Sequence, residues 1–323
     1  MKAAQIAKPE SPGALFHLGL HKTGTTSFQH GLFRARERLR VHGVAYAAPP
    51  GKSFPEQHAE IAEMLKQSRV GEVRTYFQGL IDMAAAGPEP RVRLFLFSSE
   101  EFSNLAQDAL AAFRQAVVES FPNSRYVLVL RNALDLTLSM LMQDIDAGLR
   151  TPAQAASKAV ILNTLQSFTR KVRLVLGALE PVTVIDYEEA RASGDLNNFL
   201  ARKCLGPDAP VLENLNLNVR RPRDEQMVGL LLSQMRSMIA TLRSSNPYSK
   251  QVNATLGKVV DARKLARCVS AEKAAKLAQI FETRLRKKAT AVYTANSPRL
   301  LAEASALPES CVRILFPDLA RGG

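Results

Sequence analysis

Short apolar runs alternate with longer amphipathic segments through the first two thirds of the chain. The runs have the length and composition of buried strands, and the segments between them carry apolar residues at helical spacing. Such alternation indicates crossover units and a mostly parallel central sheet with helices on both faces, which is an α/β fold. Strands are predicted at 14–19, 44–49, 91–97, 125–130 and 182–187, and helices at 25–39, 56–67, 72–86, 105–120, 133–147, 153–178 and 196–204.

The remainder of the chain is predicted to be largely helical. Its best helical patterns span 224–243, where methionine and leucine form one stripe typical of a core-facing side, and 270–296. We therefore expect a disordered lead-in at 1–13 and a single domain over 14–323. Within that domain, 14–204 forms the α/β core and 205–323 forms the helical part.

Net charge adds a preference for anionic partners. The chain carries a formal charge of +13, and from residue 220 onward 19 Lys and Arg stand against 8 Asp and Glu. That excess favours nucleotides, acidic glycans or anionic lipid as partners. The sequence lacks an aromatic-rich basic motif, so nucleic acid is not favoured as a partner. The three cysteines form no CxxC pair, so a disulfide framework is not expected. The five histidines include no HExxH motif, so a metal site is not expected either.

Hydropathy gives an expectation for location. No run of about 18 apolar residues occurs, so no transmembrane helix is expected. The first residues also lack the apolar stretch of a signal peptide. The expectation is a cytoplasmic protein or one that is peripheral at the inner face of a membrane.

The loop after the first strand has the layout of a phosphate cradle. It reads Gly19-Leu-His-Lys-Thr-Gly24-Thr-Thr-Ser27, with the two glycines at G-x-x-x-x-G spacing between a strand and a helix. Glycines let the backbone turn so that its N–H groups face an anion, and the helix start adds the positive end of its dipole. Hydroxyls at 25–27 supply further donors.

This loop departs from a Walker A sequence in one respect. A Walker lysine follows the second glycine directly, but that position is Thr25 here and the lysine is Lys22. The strongest predicted strand ends in Arg131, where a magnesium-binding NTPase carries an aspartate. An arginine there attracts phosphate, so the site is predicted to take a nucleotide anion without obligatory magnesium.

A second constellation begins at Arg131. Ligands of open α/β sheets bind at the carboxyl ends of strands, which is where Arg131 lies. Asn132 is a suitable helix N-cap. Asp135 and Ser139 share one face of the following helix, and Arg131 and Ser139 together are predicted to hold a second phosphate. Asp135 is expected to fix Arg131 or the local helix and not to react.

The two constellations resemble one family. HKTGTTS (21–27) is similar to the 5′-phosphosulfate loop of sulfotransferases that use 3′-phosphoadenosine 5′-phosphosulfate (PAPS). YVLVLRNALDLTLS (126–139) is similar to their 3′-phosphate segment, and VTVIDYEEA (182–190) to a later strand that ends in Tyr-Glu. The resemblance covers roughly residues 14–204 and implies a P-loop-like three-layer fold.

The resemblance also implies an activity: transfer of a sulfuryl group from PAPS to an acceptor hydroxyl or amine, in line and without a metal. Lys22 would offset charge on the bridging oxygen as its bond to sulfur breaks, which is electrostatic stabilisation of the transition state. Arg131 and Ser139 would bind the 3′-phosphate. The 5′-phosphosulfate would be held by Lys22, Thr23, Gly24, Thr25, Thr26 and Ser27.

The resemblance also implies a general base, His or Glu, near the end of the strand that precedes the 3′-phosphate unit. Glu100 is the first candidate and Glu101 the second, although the family carries Lys-x-His where this chain has Ser98-Ser99-Glu100. His58 and Glu56 are alternative bases, and His58 also suits a core role. His17, on the strand, is expected to pack in the core. Two assignments stay open: His21 either lines the site or shapes the loop, and the basic pair Arg220 and Arg221 either contacts the nucleotide or forms a solvated turn.

Two other functions compete with a sulfotransferase. A P-loop kinase or nucleotide hydrolase is permitted by the glycine spacing, and a non-enzymatic polyanion-binding protein by the basic C-terminal third. The acceptor is left open by the sequence. The basic region favours an anionic glycan or a lipid-linked saccharide.

Overall fold

The computed structural model describes residues 11–20, 22–47, 57–87, 90–147, 149–213 and 271–320. These residues form two compact units. The first contains those up to Arg131, those from Arg170 to 213, and Leu307–Ile314. The second contains Asn132–Thr169, those from 271 to Ala306, and those from Leu315 onward. The predicted division at 204/205 stays a prediction.

The first unit is built on a five-stranded sheet. Its strands are β1 (Gly13–Gly19), β2 (Val44–Tyr46), β3 (Leu94–Ser99), β4 (Ser124–Leu130) and β5 (Val182–Asp186), in the order β2-β3-β1-β4-β5. Every pairing among these strands is parallel. The predicted α/β class with a mostly parallel sheet is therefore confirmed.

Helices are more numerous than the apolar pattern indicates. The described residues form α1 (Thr25–Arg34), α2 (Arg36–Val41), α3 (Ala59–Lys66), α4 (Val70–Ala86), α5 (Gln107–Ser120), α6 (Ala133–Asp146), α7 (Pro152–Ala155), α8 (Lys158–Ala178), α9 (Tyr187–Ala192), α10 (Leu196–Leu205), α11 (Ala271–Ala295), α12 (Ser297–Ala304), α13 (Glu309–Leu315) and α14 (Pro317–Ala320). A 3₁₀ turn, Glu101–Asn104, follows β3. None of the helices in these ranges is long and apolar enough to cross a membrane.

Both faces of the sheet are apolar, as expected for parallel strands. On one face Leu15 of β1 belongs to a buried cluster with Phe28 of α1 and Leu200 of α10. On the other face Phe16 of β1 stacks on Phe97 of β3 with ring centroids 4.7 Å apart. Rings from α4 and α5 pack edge-on against Phe16 there. Leu15 and Phe16 are adjacent in β1, so one side chain packs against the helices on each face of the sheet.

Two predicted helices are broken. The helix predicted at 25–39 is divided at Ala35 into α1 and α2, and the one predicted at 153–178 is divided into α7 and α8. The second break has a visible cause. Thr151 caps the first turn of α7 in a capping box with Gln154, and the hydroxyl of Ser157 then accepts from the N–H of Val160. Two N-cap signals in succession start two helices.

The second unit contains α6, α7, α11 and α12. Helices α6 and α11 pack together, and Arg286 of α11 donates to Asp135 of α6 over 2.9 Å. The ring of Tyr293 stacks on Phe316 with centroids 6.1 Å apart. The helix predicted at 224–243 lies outside the described residues.

Candidate active site

The strand register brings four chain segments to one edge of the sheet. Gly19 of β1 is level with Val129 of β4, and Leu130 is level with Asp186 of β5. On the other side of β1, Leu18 is level with Ser99 of β3. The segments that leave these four strands therefore begin side by side. The chain order reverses about β1, so this edge is also the position where open α/β sheets bind ligands.

Two glycines shape the loop after β1. Gly24 is the N-cap of α1 and has a left-handed backbone with φ 75°. A Cβ at Gly24 would lie 2.3 Å from Cδ2 of Leu196, and one at Gly19 would lie 1.9 Å from Cγ2 of Thr25. Lys22 is left-handed as well, with φ 66°, which is uncommon for a residue with a side chain. The G-x-x-x-x-G spacing thus has a steric cause at both ends.

The loop hydroxyls divide into buried and exposed ones. Thr23 is fully buried and donates to the carbonyl of Leu20 over 2.6 Å. Ser27 is buried too, and its hydroxyl accepts from the amide of Asn197 over 3.2 Å. Thr26 and Lys22 are exposed. Thr23 and Ser27 would therefore contribute only backbone groups to an anion site. Thr26 and Lys22 could contribute their side chains as well.

Glu100 lies against the loop. The buried hydroxyl of Thr25 donates to its carboxylate, so the first-choice base is joined to the helix start by a direct hydrogen bond. Ser103 of the 3₁₀ turn, also buried, contacts the carbonyl of Gly19 at 3.1 Å and that of Glu100 at 2.8 Å. The Ser103 hydroxyl thus links Gly19, at the end of β1, to Glu100.

The neighbouring carboxylate of Glu101 points to other partners. It lies 2.6 Å from Nζ of Lys66 on α3. Lys171 of α8 donates to Asn104 over 2.6 Å, and burial lowers the pKa of Lys171 while the charge of Glu101 opposes this shift. Of the two candidate bases, Glu100 is bonded to the loop and Glu101 is paired with Lys66 of α3.

Arg131 directly follows β4 and contacts the loop. Its Nη1 donates to the carbonyl of Lys22 over 3.2 Å. Its Nε lies 3.2 Å from the carboxylate of Glu188, and its guanidinium carbon lies 4.9 Å from the centre of the Tyr187 ring. The side chain is 15% exposed. The two predicted anion-binding elements therefore meet at one edge of the sheet.

His58 has a structural role. Its ring is fully buried, with Nε2 2.9 Å from the carbonyl of Ala47 and Nδ1 accepting from the N–H of Ser98 at 3.1 Å. Burial lowers its pKa to about 4. Backbone groups contact both ring nitrogens, so the structure gives His58 a core position, and its alternative role as a base stays a prediction. His17 is buried as well, with Nδ1 2.7 Å from the hydroxyl of Ser98 and a pKa lowered to about 4 by burial.

The other predicted residues lie elsewhere or outside the described ranges. Ser139 lies half-buried on α6 in the second unit. Asn132 caps α6 as predicted, accepting from the N–H groups of Leu134 and Asp135. The carboxylate of Asp135 pairs with Arg286 of α11, a partner that the sequence pattern did not indicate. Outside the described residues are Glu56, His21, Arg220 and Arg221.

Three residues at this edge were not predicted as site residues: Ser103, Tyr187 and Glu188. Tyr187 and Glu188 were predicted to end a strand, but they open α9, where the Asp186 carboxylate accepts from the N–H of Glu188. The Asp-Tyr-Glu-Glu sequence after an apolar run carries this N-cap signal. Ser103 has no such signal because its contact depends on the pairing of β1 with β3. Among the described residues, no three His, Cys, Asp or Glu side chains are grouped in a way that would hold a metal ion.

Sulfotransferases are among the solved structures that are similar to this chain. One is the sulfotransferase from Alicyclobacillus acidocaldarius, at 15% identity and a TM-score of 0.39, covering 72% of this chain and 94% of that one. Another is the sulfotransferase domain from the curacin biosynthetic pathway, at 15% identity and a TM-score of 0.37, covering 62% of this chain and 75% of that one. No family model and no curated protein matches the chain. Both similarities are too low to transfer an activity to this chain.

Proposed function

We propose that the protein is a sulfotransferase that moves a sulfuryl group from PAPS to a hydroxyl or amine of an acceptor. The observation that carries the proposal is the contact between Arg131 and the carbonyl of Lys22. Because of this contact, the glycine loop after β1 and the arginine after β4 can bind opposite ends of one nucleotide. A nucleotide with a phosphate at each end matches that pair of cationic elements.

The residues present fit such a donor. The loop from Gly19 to Ser27 would hold the 5′-phosphosulfate, with exposed Lys22 beside the bridging oxygen. Arg131 would bind the 3′-phosphate, which distinguishes PAPS from ATP. Ser139 is proposed as a second ligand of that phosphate from the sequence pattern. We propose that the reaction needs no metal, as the sequence resemblance implies.

Glu100 is proposed as the general base. In the reaction the acceptor oxygen forms a bond to sulfur while the bond between sulfur and the bridging oxygen breaks. The proton of the acceptor hydroxyl passes to the carboxylate of Glu100, and adenosine 3′,5′-bisphosphate leaves with the bridging oxygen. The hydrogen bond from Thr25 supports this role because it holds the carboxylate against the loop that would carry the transferred group.

The acceptor is proposed to be an anionic glycan or lipid-linked saccharide. Arg284, Lys287 and Lys288 are exposed on α11, and the charge excess of the C-terminal third favours an acidic substrate. We also propose that the protein is located in the cytoplasm.

The test is turnover of PAPS by the purified full chain. Release of adenosine 3′,5′-bisphosphate is followed in the presence of a series of acidic and neutral glycans, with radiolabelled donor to identify the sulfated product. Acceptor-dependent release that requires Lys22 and persists without magnesium supports the proposal. Magnesium-dependent hydrolysis of ATP with no PAPS turnover would instead assign a P-loop nucleotide hydrolase. Salt-sensitive binding of a polyanion without donor affinity would assign a binding protein.

A further inference from the structure

Arg131 already has a carboxylate partner. Its Nε lies 3.2 Å from Oε1 of Glu188, and Arg131 is 15% exposed while Glu188 is 42% exposed. A carboxylate at this distance offers the guanidinium the same kind of charged acceptor as a phosphate oxygen does. Glu188 therefore competes with any anion for Arg131.

Two other contacts position the guanidinium independently of Glu188. The carbonyl of Lys22 accepts from Nη1, and the Tyr187 ring lies beneath the guanidinium carbon at 4.9 Å. Glu188 has a second cationic neighbour, since its Oε2 lies 3.9 Å from Nη1 of Arg191. Removing the carboxylate would thus remove negative charge beside Arg131 while its two other contacts remain.

We propose that Glu188 is the carboxylate that the 3′-phosphate displaces from Arg131, and that it sets the affinity for the donor and for the bisphosphate product. The inference rests on the proposed function. Glu188 weakens the binding of both nucleotides because each must break the ion pair. Weaker product binding in turn speeds the release of adenosine 3′,5′-bisphosphate after each turnover.

The chain offers a matched control one residue away. Glu189 is on the same helix, α9, and is 59% exposed. Its carboxylate lies 3.8 Å from Nζ of Lys203. Glu188→Gln and Glu189→Gln make the same change of charge and shape, and they differ in whether Arg131 loses a partner.

The experiment is isothermal titration of the full chain and both variants with adenosine 3′,5′-bisphosphate and with adenosine 5′-phosphate. Glu188→Gln should bind the bisphosphate roughly two- to five-fold more tightly than the wild type, as expected for loss of a partly exposed competing ion pair. Its affinity for adenosine 5′-phosphate should not change, because that ligand lacks the 3′-phosphate. Glu189→Gln should match the wild type with both ligands.

The outcomes separate the two proposals. If the wild type binds the bisphosphate and Glu188→Gln binds it no more tightly than Glu189→Gln, this inference is overturned and the proposed function stands. An equal gain for both ligands would also overturn it, since the effect would not involve the 3′-phosphate. If the wild type fails to bind the bisphosphate at all, both proposals fall.

Discussion

Single residues of the loop after β1 adopt conformations that few side chains tolerate. Gly24 has φ 75° at the start of α1, and Lys22 has φ 66° two residues earlier. Left-handed residues so close together turn the chain sharply between β1 and α1. Backbone strain of this kind persists where the surroundings over-determine it, and it is concentrated at ligand sites.

Gly24→Ala should lower the free energy of unfolding by about 1–2 kcal/mol, because an L residue is strained in the left-handed region. Gly79→Ala is the matched control, since Gly79 lies within α4 and a Cβ there would meet nothing within 4 Å. That control should raise the free energy of unfolding by about 0.5–1 kcal/mol. Urea denaturation of both variants measures the difference. Equal effects of the same sign would contradict the conformation assigned to Gly24.

Glu100→Gln should retain affinity for adenosine 3′,5′-bisphosphate and lose about 100-fold or more of turnover, as expected for loss of a general base. The amide keeps the size of the side chain and still accepts a hydrogen bond from Thr25, so the loop should be preserved. Glu101→Gln is the control, because Glu101 is paired with Lys66. Single-turnover kinetics and titration with the bisphosphate test the pair. Full activity of Glu100→Gln would remove Glu100 from the reaction.

Residue chemistry made part of this site predictable. Lys22 and Arg131 could be predicted as candidates because glycine spacing and strand ends are local signals, and Glu100 was predicted from the family resemblance. The partners of Arg131 were not found, since Tyr187 and Glu188 reach it only through the pairing of β4 with β5. His58 shows the opposite case, in which a residue of suitable chemistry is buried with both ring nitrogens bound to backbone.

Among the elements, the 3₁₀ turn after β3 positions the proposed base. It spans only Glu101–Asn104, yet it contacts β1 through Ser103 and α8 through Asn104. Strand existence was predictable from apolar runs, and the same runs could not predict the register. Helix breaks were harder to predict, because the break between α7 and α8 depends on capping by Thr151 and Ser157 and not on hydrophobic spacing.

Ser103→Ala should reduce turnover several-fold and lower the free energy of unfolding by about 1 kcal/mol, the net value of a typical buried hydrogen bond. The loss follows because the hydroxyl joins Gly19 to Glu100. Ser305→Ala is the control: its hydroxyl donates to the carbonyl of Ala302 at an exposed position. Steady-state kinetics and urea denaturation of both variants test this. A Ser103→Ala enzyme with unchanged turnover would show that the turn does not position the base.

At the scale of the whole molecule, the first unit contains two buried neutral histidines beside Ser98. His17 and His58 both have a pKa of about 4, lowered from 6.5 by burial. The unfolded chain binds protons at these groups near pH 6.5, and the folded chain does not until about pH 4. The unfolded state therefore gains protons first as the pH falls, and the folded state loses stability in that window.

The free energy of unfolding should therefore fall between about pH 6.5 and about pH 4, by up to about 1.4 kcal/mol per pH unit for each histidine. His58→Gln should reduce this slope, although it also costs stability at neutral pH. The same exchange at exposed His42 is the matched control. Denaturant titrations at several pH values measure the slope. An unchanged slope in His58→Gln would contradict burial of a neutral ring at this position.

The central claim is that the loop carrying Lys22 and the guanidinium of Arg131 bind one nucleotide at its two phosphate ends. The most direct measurement is the affinity of the wild type, Arg131→Ala and a surface control, Arg74→Ala, for adenosine 3′,5′-bisphosphate and adenosine 5′-phosphate. The wild type and Arg74→Ala should prefer the bisphosphate, and Arg131→Ala should lose most of this preference, keeping only what the proposed second ligand Ser139 contributes. A preference for the bisphosphate that is as strong in Arg131→Ala as in the wild type, or a wild type that binds neither ligand, would contradict this proposal.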